Sequence, residues 1–109
     1  MKISASIYSN NDRSLENLIK DLDNYNIDMF HVDFNDKKID IKKVEDDIVE
    51  IRKISNKPID LHIISDRPNQ YSKFIIDNKV EYVTYQLENI QEKLDFPIAK
   101  KTKFGIAIT

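Results

Sequence analysis

The sequence predicts an α/β fold in which parallel strands alternate with covering helices. Three observations point there. The apolar period switches repeatedly between two and about 3.6 residues along the chain. The resulting order is βαβαβαβαβ with short connections, which makes consecutive strands parallel. Hydrophobic residues make up 40% of the 109 and are spread throughout, enough for a packed core and too many for a disordered chain. Two architectures satisfy this pattern, an open doubly wound sheet or part of a (β/α)8 barrel. A flavodoxin-like sheet normally ends on a helix, which the fifth strand here is not given. A complete barrel needs about 250 residues, more than twice this length.

Lys2 to Tyr8 reads as the first strand, rich in Ile and Ser. Asp12 to Tyr25 carries Leu15, Leu18, Ile19 and Leu22 at helical spacing, and Ser9-Asn10-Asn11-Asp12 offers turn and N-cap residues. Asp28 to Phe34 is the second strand, and Val44, Ile48 and Ile51 mark the second helix. Pro58 opens a third strand over Ile59 to Ile64. Pro68 falls where a first helical turn tolerates it, with Tyr71, Phe74 and Ile75 as the apolar face behind it. Val80 to Tyr85 is the fourth strand, Glu88 to Leu94 a short and weakly patterned helix, and Lys103 to Thr109 the fifth strand. The 109 residues read as one partial domain.

Composition removes several function classes. Seventeen Lys+Arg against 19 Asp+Glu give a net charge of −2, without the basic excess of a nucleic-acid binder. No cysteine occurs, so disulfides, thiolate zinc sites and thiol nucleophiles are excluded, which fits the cytoplasm. One glycine, Gly105, cannot build a Walker loop, a dinucleotide fingerprint or a nucleophile elbow. No signal peptide is visible, and no apolar run approaches membrane-spanning length.

A mirrored pair of tripeptides carries the chemistry. His31-Val32-Asp33 lies in the second strand and Asp60-Leu61-His62 in the third. Residues i and i+2 of a strand share a face, so each tripeptide presents an imidazole and a carboxylate together. Neighbouring strands lie about 4.8 Å apart, which lets His31, Asp33 and His62 converge. Two imidazoles and a carboxylate suit Zn²⁺, Fe²⁺ or Mn²⁺. A lone strand histidine is more often a satisfied core residue, but these are the chain's only two, both beside aspartates in adjacent strands. The lysines at 37, 38, 42, 43, 100, 101 and 103 read as solvated surface. Tyr82 and Tyr85 read as core, and Glu88 as an acid favoured at a helix start.

The same segments resemble the ribulose-phosphate 3-epimerase family. Ile3-Ser4-Ala5-Ser6-Ile7-Tyr8-Ser9 is similar to its first-strand P-S-I-L-S signature, and Phe30-His31-Val32-Asp33-Phe34-Asn35-Asp36 to its H-V-D-V-M-D-G segment. Ile59-Asp60-Leu61-His62-Ile63-Ile64 with Asp66-Arg67-Pro68 resembles L-D-V-H-L-M and the trailing E-N-P. Glu81-Tyr82-Val83-Thr84 resembles D-I-I-T, and Gly105-Ile106-Ala107-Ile108 resembles G-V-A-L. Order and spacing agree over all five strands. The resemblance implies the N-terminal part, about five β/α strands, of a TIM (β/α)8 barrel of the ribulose-phosphate-binding type.

It further implies metal-dependent interconversion of D-ribulose 5-phosphate and D-xylulose 5-phosphate through an ene-diolate at C3. His31, Asp33 and His62 match metal ligands for Zn, Fe(II), Mn or Co. Asp33 also matches an acid/base carboxylate, and Ser6 and His62 match residues that approach the sugar-phosphate substrate. Asp60, beneath His62, reads as a partner of that ring rather than a second base. The sequence departs from the family pattern at Ala5, Asn35, Lys37, Gln86 and Thr109. The second acid/base and the phosphate-binding loops belong to later strands, so the 109 residues are expected to be inactive alone. Two open sheet edges lead us to expect self-association or pairing with the missing half-barrel, and no nucleic-acid or membrane partner. A related substrate, such as allulose 6-phosphate, or a non-catalytic half-barrel are the alternatives.

Overall fold

The computed structural model describes residues 2–8 and 14–108. Its elements are β1 (Ser4–Ser6), α1 (Leu15–Asp23), β2 (Met29–Asn35), α2 (Ile41–Ile54), β3 (Ile59–Ile64), α3 (Ser72–Asn78), β4 (Tyr82–Gln86) and β5 (Lys103–Ala107), with 3-10 turns at Pro68–Tyr71 and Leu87–Asn89. All five strands are parallel, and they lie side by side in sequence order, β1-β2-β3-β4-β5. A doubly wound sheet reverses its strand order at a switch point. None occurs here, and the open alternative falls away in favour of an arc of a (β/α)8 barrel.

Alternation along the strands separates two chemistries. Phe30, Val32 and Phe34 of β2, Ile59, Leu61 and Ile63 of β3, and Val83 and Tyr85 of β4 are all buried. They pack with Leu18 and Ile19 of α1, Val44, Ile48 and Ile51 of α2, and Ile75 of α3. Burial of such side chains contributes roughly 1.5–3 kcal/mol each, so the fold is held on the helix-covered face. His31, Asp33, Asp60, His62, Tyr82 and Thr84 alternate with them and project from the other face, where they stay half-exposed.

Local signals set the helix ends. Ser14 caps α1 by accepting from the Asn17 amide at 3.2 Å, so the helix starts later than the Asp12 expected. Ser9 to Asp12 lie outside the described residues. Asp40 caps α2 through the Lys42 amide at 2.9 Å. Pro68 opens the 3-10 turn that leads into α3, and α3 stops at Lys79, whose left-handed backbone (φ 50°) turns the chain away. Arg52 of α2 binds the carbonyls of Asn78 and Lys79 and the Glu81 carboxylate, tying α2 to the start of β4.

One expected element is absent. Glu88 to Leu94 forms no helix beyond the Leu87–Asn89 turn, and the segment up to Lys103 is irregular. Ile90 and Leu94 of this segment pack against the core, and the Phe96 ring lies edge-on to Tyr85 at 5.7 Å and tilted against Phe104 at 5.5 Å. That contact needs no helical register, and Pro97 behind it opposes one. β5 ends at Ala107, and Thr109 lies outside the described residues.

A candidate metal centre on the polar face

Strand register builds the site. Asp33 pairs with His62, and His31 with Asp60, across the β2–β3 ladder. Paired residues of a parallel sheet share a face, so four polar side chains form a square. In it His31 Nε2 lies 2.8 Å from Asp33 Oδ1, and His62 Nδ1 lies 3.1 Å from the same oxygen. The two rings stand 5.6 Å apart, tilted by 54°. One ligand atom from each of His31, Asp33 and His62 falls within 4.8 Å of the others. The three sequence candidates therefore meet at one point, each half-buried and reachable from the polar face.

Each ring is held by its other nitrogen. His31 Nδ1 is 2.9 Å from Asp60 Oδ2, and His62 Nε2 is 2.8 Å from Gln86 Oε1. Asp60 therefore serves His31, not the His62 ring assigned to it from the sequence, because register places it directly beside His31. The Asp60 hydrogen bond is the main cause that raises the pKa of His31 above the ordinary imidazole value, with Asp33 adding to it and burial opposing it. With their outer N–H groups given to Asp60 and Gln86, neutral rings turn two lone pairs toward Asp33 Oδ1. Three acceptors facing one another repel unless protons or a cation stand between them. That donor set, two imidazoles and a carboxylate with carboxylate and carboxamide support behind the rings, fits a divalent transition metal.

Ser6 lies beside His31 in the β1–β2 register, on the same face and half-buried. It is adjacent to the cluster rather than within it. Asp36 lies apart, accepting hydrogen bonds from Ser65 Oγ at 2.5 Å and Tyr71 Oη at 2.9 Å, and so fastens the loop after β2 to β3 and the Pro68 turn. Tyr85 is core as expected, but Tyr82 is not. It faces the polar side near the N-terminal ends of the strands, with Lys2 Nζ 2.9 Å from its hydroxyl and Lys103 Nζ 5.9 Å from its ring. Tyr82 pairs with Asp60 and Lys103 with Tyr82, so Lys103 lies in the register row of Asp60, two strands away from it. Glu88 lies in the first turn of the short Leu87–Asn89 3-10 segment, and its carboxylate accepts from the Gln86 carboxamide. Gln86, named from the sequence only as a departure from the family pattern, joins the site here, and its i+2 parity with Thr84, the partner of His62, already places it on that face.

Among the described residues no helix is long and apolar enough to cross a membrane. A search of curated proteins returned no match. The model of the ribulose-phosphate 3 epimerase family, by contrast, matches residues 2–107. With that match over nearly its whole length, and five parallel strands in barrel order bearing a convergent His-Asp-His cluster, the chain belongs to the ribulose-phosphate 3 epimerase family.

Proposed function

We propose that this chain supplies the metal-binding and proton-abstracting side of a ribulose-phosphate 3-epimerase site. The observation that carries the reading is the convergence of His31, Asp33 and His62 within 4.8 Å in a chain of this family. These residues hold a divalent cation, Zn, Fe(II), Mn or Co. When bound, the ion supplies stabilisation of the negative charge that develops on the substrate oxygens beside C3.

The remaining chemistry falls to the side chains. Asp33 is 42% exposed at its side chain, so its carboxylate reaches substrate while Oδ1 faces the rings. It removes the C3 proton of D-ribulose 5-phosphate, and protonation of the ene-diolate from the opposite side gives D-xylulose 5-phosphate. Ser6 and His62 share the face and contact substrate oxygens. Asp60 is engaged with His31 and Glu88 with Gln86, so the second acid/base and the phosphate anchor come from a further segment or a second copy completing the barrel. Because Gln86 stands against His62 where the family pattern has histidine, a related sugar phosphate such as allulose 6-phosphate is the second reading.

Proton abstraction can be followed apart from epimerisation. In D₂O with added Co²⁺ or Zn²⁺, NMR should show exchange of the C3 hydrogen of ribulose 5-phosphate, lost in Asp33→Asn. Parallel runs with allulose 6-phosphate separate the two substrates. Metal uptake by a His31→Ala, His62→Ala double variant equal to that of the parent would reject the proposal, as would exchange that survives in Asp33→Asn.

A further inference from the structure

We infer that Gln86, held by Glu88, is a positioning residue that decides which nitrogen of His62 carries the ring proton. The inference rests on the metal reading above and adds a residue to it. Gln86 is the last residue of β4 and only 9% exposed. Its Oε1 lies 2.8 Å from His62 Nε2, and its Nε2 donates to a carboxylate oxygen of Glu88.

The direction of this relay follows from donor and acceptor chemistry. An ionised carboxylate only accepts, so the amide nitrogen of Gln86 must face Glu88. The amide oxygen then faces the ring, and an oxygen there requires N–H at His62 Nε2. In the neutral ring the remaining nitrogen, Nδ1, is left as a lone pair 3.1 Å from Asp33 Oδ1, a pairing that calls for a cation. Without the Gln86 oxygen the ring is free to carry its proton on Nδ1 and donate it to Asp33. That arrangement satisfies both groups and closes the position between them. Gln86 therefore selects the open tautomer over the closed one.

The test uses the chain with Gln86→Met, which keeps size and removes both polar groups, and Gln86→Glu, which keeps an acceptor at the same reach. With only two histidines in the chain, ¹⁵N–¹H long-range spectra of the metal-free protein resolve both rings. The parent and Gln86→Glu should show His62 with its proton on Nε2, and Gln86→Met should gain the Nδ1–H form. Co²⁺ titration, read by calorimetry and by the visible absorption of bound cobalt, should be weakened 10- to 100-fold in Gln86→Met and within about threefold of the parent in Gln86→Glu. Circular dichroism confirms that each variant is folded. An unchanged His62 tautomer and Co²⁺ affinity within about twofold of the parent in Gln86→Met overturn the inference, and if His62→Ala abolishes binding in the same series the metal reading survives without it. A parent chain that takes up no metal overturns the metal reading and this inference with it.

Discussion

His31 and Asp60 are neighbours in register across β2 and β3, and the ring Nδ1 lies 2.9 Å from Asp60 Oδ2. The carboxylate both orients the ring and keeps Nε2 as the nitrogen that faces Asp33. Asp60→Ala should therefore weaken Zn²⁺ or Co²⁺ binding 10- to 100-fold. The fold should be retained, because Asp60 projects from the face that carries no core. Unaltered affinity in calorimetric titration would remove Asp60 from the site.

A second carboxylate has the opposite assignment. Asp47 of α2 is 4% exposed and accepts from Tyr8 Oη at 2.6 Å and from Lys43 Nζ at 2.7 Å. Hydrogen bonds to a charged group contribute about 1.5–3 kcal/mol, so Asp47→Ala should cost about 2 kcal/mol in urea unfolding and Tyr8→Phe somewhat less. The double variant should cost less than the sum, since both remove one contact. Metal binding should be untouched.

Stability should fall in alkali before any metal ligand is considered. Burial pushes the Tyr85 phenol up to about 12, and Tyr8 and Tyr71 are also raised, by burial and by hydrogen bonds to Asp47 and Asp36. An unfolded tyrosine ionises near pH 10. The folded state therefore keeps its full advantage below about pH 10 and loses it progressively as the pH rises through the folded value near 12. For Tyr85 the loss is on the order of 2–3 kcal/mol. Urea midpoints should be flat from pH 8 to about 10 and then drop, with a shallower drop in Tyr85→Phe. An identical drop in that variant would show that Tyr85 plays no part.

β1 and β5 are the outer strands of the described sheet, and Ile106 of β5 and Ile108 just beyond it are 47% and 73% exposed. An unpaired strand edge beside exposed isoleucines templates association. Sizing chromatography should show species that grow with concentration, shifted toward monomer by Ile106→Lys with Ile108→Lys. A single monomer peak at high concentration would count against this.

The fold was readable because its signals are local. Ile59–Ile64 has its boundaries marked by Pro58 and Ser65 and came out as expected, and Val44, Ile48 and Ile51 are the buried stripe of α2. Residues 88–94 misled because Leu87, Ile90 and Leu94 mimic a helical period, while a tertiary contact, Phe96 on Tyr85, settles that segment. The His-Asp-His convergence was legible from strand parity alone. The partners of the rings were not, since assigning Asp60 to His31 and Gln86 to His62 needs the register between strands, which no single strand encodes.

The division of the sheet into an apolar and a polar face has a consequence for how such a chain can change. Every side chain proposed for chemistry (Ser6, His31, Asp33, His62, Gln86) stands on the face that the helices do not cover, while Phe30, Val32, Leu61 and Val83 alternate with them beneath. A random library of this gene should therefore sort into two nearly independent classes. Variants at His31 and Asp33 of β2 would alter ligand and substrate choice while still expressing as folded protein, and variants at Phe30, Val32 and Phe34 would be lost to misfolding whatever their chemistry. Because drift on one face is not vetoed by the other, new specificities can be sampled here at little structural risk.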